Sequence, residues 1–172
     1  EEDAGPAINL SGLTAGNDFS SPDGLWFSKA SNLLWIQTDD GNYTDVTNCM
    51  LLVAMPGTVG DGKKTTVNNT QGTNMKSVDT FIGATLGDTR LRRFLTGPKG
   101  CEVTGLTESP DGKTLFVNIQ HPGENTPAIG TAADFTFESR WPTVSKSAYG
   151  PGARPRSATI VITKDDGGVV GL

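Results

Sequence analysis

The chain has very little of what most catalytic and cofactor motifs are made from. One histidine and two cysteines occur in 172 residues. That argues against a structural zinc site, which takes four Cys or His ligands at close spacing. No serine-nucleophile motif is present. Gly60-Asp61-Gly62-Lys63-Lys64-Thr65 has the composition of a phosphate loop but not the Walker spacing, and no helical pattern follows it. Long hydrophobic runs are missing too, since the longest, at residues 50–55, is far too short to span a membrane. Positive charge is scarce: 14 Lys and Arg against 19 Asp and Glu leave a net charge of −5. Nucleic acid is therefore a poor partner, while cations are natural ones.

Turn chemistry is abundant. The chain holds 22 Gly and 10 Pro, and no stretch keeps a helical period. Short strands joined by many turns, an all-β class, is the expectation. The length suffices for one domain with its own core. Cys49 and Cys101 read as two separate buried thiols, with a disulfide between them as the alternative. The chain opens on Glu1-Glu2-Asp3 without Met or signal peptide, and so reads as a processed product or a piece of something longer.

The organising stretch is Gly100-Cys101-Glu102-Val103-Thr104-Gly105-Leu106, then Ser109-Pro110-Asp111-Gly112-Lys113 and the apolar run Leu115, Phe116, Val117 and Ile119. It reads as strand, tight turn, strand. A spacing of 81 residues finds the same hairpin earlier, pairing Gly24 with Gly105, Leu25 with Leu106, Leu34 with Leu115, Trp35 with Phe116, Ile36 with Val117 and Gln37 with Asn118. Such a run in one register is an internal repeat.

Each unit then reads as a four-stranded propeller-like blade. Residues 1–20 form a connecting segment. Unit one covers 21–98, with further strands at 49–55 and 89–95 and a long surface loop at 56–76. Unit two covers 99–172, with a second long loop at 122–155, a strand at 157–164, a turn at Asp165-Asp166-Gly167-Gly168 and a final strand at 169–172. Propellers close with about four to eight blades, so two blades imply a fragment of a larger propeller. Its open edges need covering, by missing N-terminal blades or by self-association.

Carboxylates at the strand entries are the candidates for chemistry. Glu102 lies between Cys101 and Val103, and a part-buried carboxylate needs a cation or donors. It is read as a metal ligand and catalytic residue, against simple pairing with Lys99 or Arg93. Asp23 is read as a second ligand placed just before its strand, against a plain turn residue of the kind Asp111 is. Asp39 and Asp40 end a strand beside Gly41 and Asn42 and suit calcium, although a solvated strand end is the blander alternative. His121 occupies the slot equivalent to Asp40, where a structural role is the ordinary reading. Arg93 is a possible phosphate contact on a strand whose arginines more often face water.

These residues resemble a known family. Ser21-Pro22-Asp23-Gly24-Leu25, Leu34-Trp35-Ile36-Gln37-Thr38-Asp39, Arg93-Phe94-Leu95-Thr96-Gly97-Pro98 and above all Leu115-Phe116-Val117-Asn118-Ile119-Gln120-His121-Pro122-Gly123-Glu124 are similar to the C-terminal part of the PhoX-type alkaline phosphatases. The resemblance runs from about Asn17 to the end and is weakest in the two loops. It implies a six-bladed propeller with calcium and ferric iron in its central channel. It also implies hydrolysis of phosphate monoesters in the periplasm or outside the cell, after twin-arginine export. For site residues it points to Glu102 and, less directly, Asp23. A non-catalytic propeller-derived module that holds calcium or a protein is the alternative.

Overall fold

The computed structural model describes residues 13–14, 16–39, 47–84, 87–127, 137–143 and 154–172. Among them run β1 (Pro22–Phe27), β2 (Leu34–Thr38), β3 (Met50–Ala54), β4 (Lys64–Gln71), β5 (Asn74–Phe81), the short helix α1 (Gly87–Arg90), β6 (Leu91–Thr96), β7 (Glu102–Glu108), β8 (Thr114–Gln120) and β9 (Ala158–Thr163). The first sheet has the order β1-β2-β3-β6 and the second β7-β8-β9, while β4 and β5 make a separate ribbon. All the pairings are antiparallel. The all-β expectation holds.

The central strands of the first sheet are apolar on both faces, and each face has a core. Trp35 and Leu51 point to the second sheet and pack with Cys101, Val103, Leu115, Val117 and Ile119. Ile36, Met50, Leu52, Ala54 and Leu91 point the other way, beneath Leu13 and Phe19. Of the expected connecting segment, the described residues 16–20 pack: Asn17 is buried and donates from Nδ2 to the Leu91 carbonyl at 3.2 Å, while residues 1–12 lie outside the described residues. Each fully buried Leu or Val here contributes about 1.5–3 kcal/mol.

The repeat survives in the backbone, down to its irregularity. In the first sheet Pro22 pairs with Thr38 and Gly24 with Gln37, leaving Asp23 as the extra residue of a bulge. In the second Val103 pairs with Ile119 and Leu106 with Val117, leaving Thr104 and Gly105 opposite Asn118. The bulges fall 81 residues apart.

Three expectations need correction. The second sheet has three strands among the described residues, not four. Residues 169–172 do not pair with β9. Val170 is buried and donates its N–H to the Gly112 carbonyl at 2.9 Å, and Gly171 sits against Leu33 and Trp35. Only Val170 enters the core; at Gly171, with φ 93°, the chain turns, Leu172 N donating to the Val169 carbonyl at 3.3 Å, and Leu172 is exposed. The loop expected at 56–76 holds β4 and the start of β5. Thr66 Oγ1 donates to Asp79 Oδ1 at 2.8 Å and Ser77 Oγ to Asn68 Oδ1 at 2.7 Å, so polar cross-strand pairs hold the ribbon where no apolar face does. Finally, Asp23 lies within β1 and not ahead of it.

Candidate functional site

Both hairpins present the same end to one place: β1 and β7 begin there, and β2 and β8 finish there. Glu102 opens β7 opposite Gln120 and is buried. Asp39 follows β2, and its N–H donates to the Ser21 carbonyl at 3.1 Å. Asp23 is the bulged residue of β1, and a bulge is a common device for re-aiming a side chain.

These three carboxylates act on one another. Burial, and then the negative charge of Asp39, push the Glu102 carboxyl above its ordinary range. A hydrogen bond from His121 pulls it down, while a shared hydrogen bond with Asp23 and that residue's charge raise it again. Such a group of like charges calls for a cation or a proton. Asp23 and Glu102 are neighbours without being equivalents. By the repeat, Asp23 matches Thr104 and Glu102 matches Ser21, so the two acids occupy different positions of their units.

His121 completes the group. Its Nε2 is 3.3 Å from Glu102 Oε2. Its Nδ1 is 3.1 Å from Glu124 Oε2, close enough for an ion pair but outside hydrogen-bond geometry. The His121 backbone is left-handed, at φ 35°, a conformation that costs a residue with a side chain about 1–3 kcal/mol. What holds it there is the N–H bond to Ser157 Oγ at 2.9 Å and the turn that follows. In that turn Gly123 N donates to the Lys99 carbonyl at 2.8 Å, and Thr126 Oγ1 to the Gly123 carbonyl at 2.7 Å. Glu138 accepts from Asn125 N at 3.0 Å and takes the ammonium of Lys99 at 3.8 Å. Glu124 and Glu138 were not singled out in the sequence. The only signal for Glu124 was its place three residues after His121 in a Pro-Gly turn.

The other candidates separate clearly. Asp40 lies outside the described residues, with Gly41 and Asn42. Arg93 is in register with Leu52 and reaches Met50 Sδ at 3.3 Å and the Asp18 carbonyl at 3.5 Å. Asp111 is a turn residue: Ser109 Oγ and Lys113 N bond its Oδ1, and both lower its pKa. Cys49 and Cys101 are buried thiols with no disulfide between them.

Clustered carboxylate oxygens are the donors that hard cations such as Ca²⁺ and Fe³⁺ select. Yet among the described residues no three acidic, His or Cys groups converge into a metal-holding set. The donor chemistry fits, and the shell is partial. Among the described residues no helix is long and apolar enough to cross a membrane.

Comparison with known proteins agrees with the residue-level resemblance. The family model described as alkaline phosphatase PhoX matches residues 2–123. The solved structure of Pseudomonas fluorescens PhoX in complex with vanadate, a transition state analogue, is 36% identical, with a TM-score of 0.55. The match covers 90% of this chain and 20% of that one, so this chain spans a small part of its relative's length. No curated protein matches. On its sequence match and its fold, this chain belongs to the PhoX alkaline phosphatase family.

Proposed function

We propose that the chain is a C-terminal portion of a metal-dependent phosphomonoesterase that works in the periplasm or outside the cell. In this reading Glu102, Asp23 and Asp39 are its contribution to a centre that holds calcium and iron. The observation that carries it is the buried Glu102, which meets His121 at 3.3 Å and feels the charges of Asp39 and Asp23 from the other sheet. When bound, such cations hold phosphoryl oxygens and offset the charge that develops as phosphate is transferred. The chain's own residues divide the remaining work. Asp23 and Asp39 bring negative charge from the first sheet, His121 orients one Glu102 oxygen, and Glu124 steadies His121. Arg93 is given no part, because its guanidinium is turned to Met50 and Asp18.

The partial shell implies that the other ligands come from blades outside this chain, and that the chain alone has no turnover. Calcium and iron should be quantified in the purified chain and in Glu102→Gln, alongside hydrolysis of p-nitrophenyl phosphate. Metal in the first and not in the second is the expected result, with no hydrolysis by either. Equal metal in both, or turnover by the chain alone, would sink the proposal. The same partial shell also favours a second reading, a non-catalytic module that holds calcium or a protein. It predicts no hydrolysis even when the missing blades are supplied.

A further inference from the structure

One buried side chain beside the acidic group is left without a partner. Gln37 on β2 is 3% exposed, and its Oε1 accepts no hydrogen bond among the described residues. Such an oxygen is destabilising, and folded proteins seldom keep one without a use. Strand alternation puts Gln37 on the same face as Trp35, which packs toward the second sheet. Asp39 comes two residues later, at the end of the hairpin where Glu102 opens β7. On β1, Gln37 is in register with Gly24, the residue after the bulged Asp23. Its amide lies against that glycine, since a Cβ there would be 2.9 Å from Cδ, Oε1 and Nε2 alike. The amide is thus held next to Asp23, which shares a hydrogen bond with Glu102.

The repeat shows what this oxygen lacks. The residue 81 positions after Gln37 is Asn118, whose amide lies against Gly105 in the same way. There Thr159, in register on the third strand of the sheet, donates its hydroxyl to Asn118 Oδ1 at 2.7 Å. The residue in register with Gln37 on β3 is Leu51, whose side chain has nothing to donate. On the other side stand Asp23, Asp39 and Glu102, which are acceptors alone when ionised. A cation is what such a set of oxygens calls for.

We propose that Gln37 Oε1 is a calcium ligand alongside Glu102, Asp23 and Asp39. The inference rests on the reading of those carboxylates as metal ligands. An amide carbonyl is a donor that calcium accepts readily. Being neutral, it adds an oxygen without adding to the repulsion among three acids. The glycine at position 24 fits this role, because a side chain there would displace the amide.

Calorimetric titration of the metal-stripped 172-residue chain with calcium chloride tests this, using Gln37→Met, Gln37→Glu and Glu102→Gln. Urea unfolding in excess chelator gives a second readout. Methionine keeps the length of glutamine and removes the oxygen. Gln37→Met should bind calcium about tenfold or more weakly, yet unfold in chelator at the same or a higher urea concentration. Gln37→Glu keeps an oxygen at the same reach and should retain calcium binding while losing stability in chelator. Unchanged affinity in Gln37→Met, or a clear loss of its stability in chelator, would overturn the inference. So would loss of calcium binding in Gln37→Glu. Each of those results leaves the wider reading intact if Glu102→Gln still loses calcium. Equal binding by the chain and Glu102→Gln, or no binding by the chain, would overturn that reading and this inference with it.

Discussion

Gly100 and Gly123 meet backbone to backbone. A Cβ placed on Gly100 would lie 3.2 Å from both Gly123 Cα and Glu124 N, and the two glycines are left-handed at φ 62° and 76°. This contact locks the turn after β8 against the turn before β7, and so sets where His121 and Glu124 stand relative to Glu102. Gly100→Ala should destabilise the chain by about 1–3 kcal/mol, read from urea unfolding. An unchanged midpoint would mean that the two turns are not clamped together.

Gly24 and Gly105 should respond unequally to the same change. A Cβ on Gly24 would lie 2.9 Å from the amide of Gln37, which is 3% exposed and has no room to swing away. One on Gly105 would lie 2.7 Å from Nδ2 of Asn118, which is exposed and can move. Gly24→Ala is expected to cost about 1–3 kcal/mol, as overpacking does, and Gly105→Ala clearly less. Paired thermal melts decide it, and equal losses would contradict the difference in burial.

Cys101 should be inert in the folded chain. Burial, and then the neighbouring Cys49, push its pKa up to about 12, so thiolate is scarce at mildly alkaline pH and alkylation is slow. Iodoacetamide at pH 8 should leave Cys101 unmodified until urea is added. Prompt labelling without denaturant would show that the thiol is accessible.

Asp61 ties the base of the ribbon, accepting from Ala84 N at 2.6 Å and Thr58 N at 3.2 Å. The Ala84 bond is the main reason its pKa falls below 3.8. A carboxylate with a lowered folded pKa adds stability above its unfolded value, and that stability fades as pH falls through the folded one. The Ala84 amide resonance should therefore titrate with a midpoint below 3.8, and Asp61→Asn should abolish that titration. A midpoint at or above the unfolded value would show that the bond is not formed in solution.

The ribbon itself should be dispensable to the two sheets. Every residue of β5 is exposed, and every residue of β4 is exposed or only partly covered. Replacing residues 65–80 with a short Gly-Ser turn should change the unfolding free energy by less than about 1 kcal/mol. A larger loss would reveal a packing role that the ribbon's exposure does not suggest.

The elements with bulky apolar residues were legible from sequence: β2, β3, β8 and β9 stand close to where Leu34 to Ile36, Leu51 to Val53, Leu115 to Ile119 and Ile160 to Ile162 place them. The repeat was legible for the same reason. The ribbon was not, because Thr, Asn and Ser pairs leave no hydrophobic alternation to read. The tail misled because Val169-Val170 looks like a strand, while only Val170 enters the core and the chain turns at Gly171. At the site, Glu102, Asp23, Asp39 and His121 could be named in advance, but their geometry could not. A bulge shifts which residue faces where, and nothing in the composition around Asp23 announces one.

The paired bulges separate inheritance of shape from inheritance of chemistry. Both sheets have the same kink at the same step, yet only the first has an acid there; the second has Thr104. The scaffold thus holds an unused position for one more carboxylate, at the kink of the sheet that already carries Glu102. A single Thr104→Asp exchange would fill it without asking the backbone to learn a new conformation.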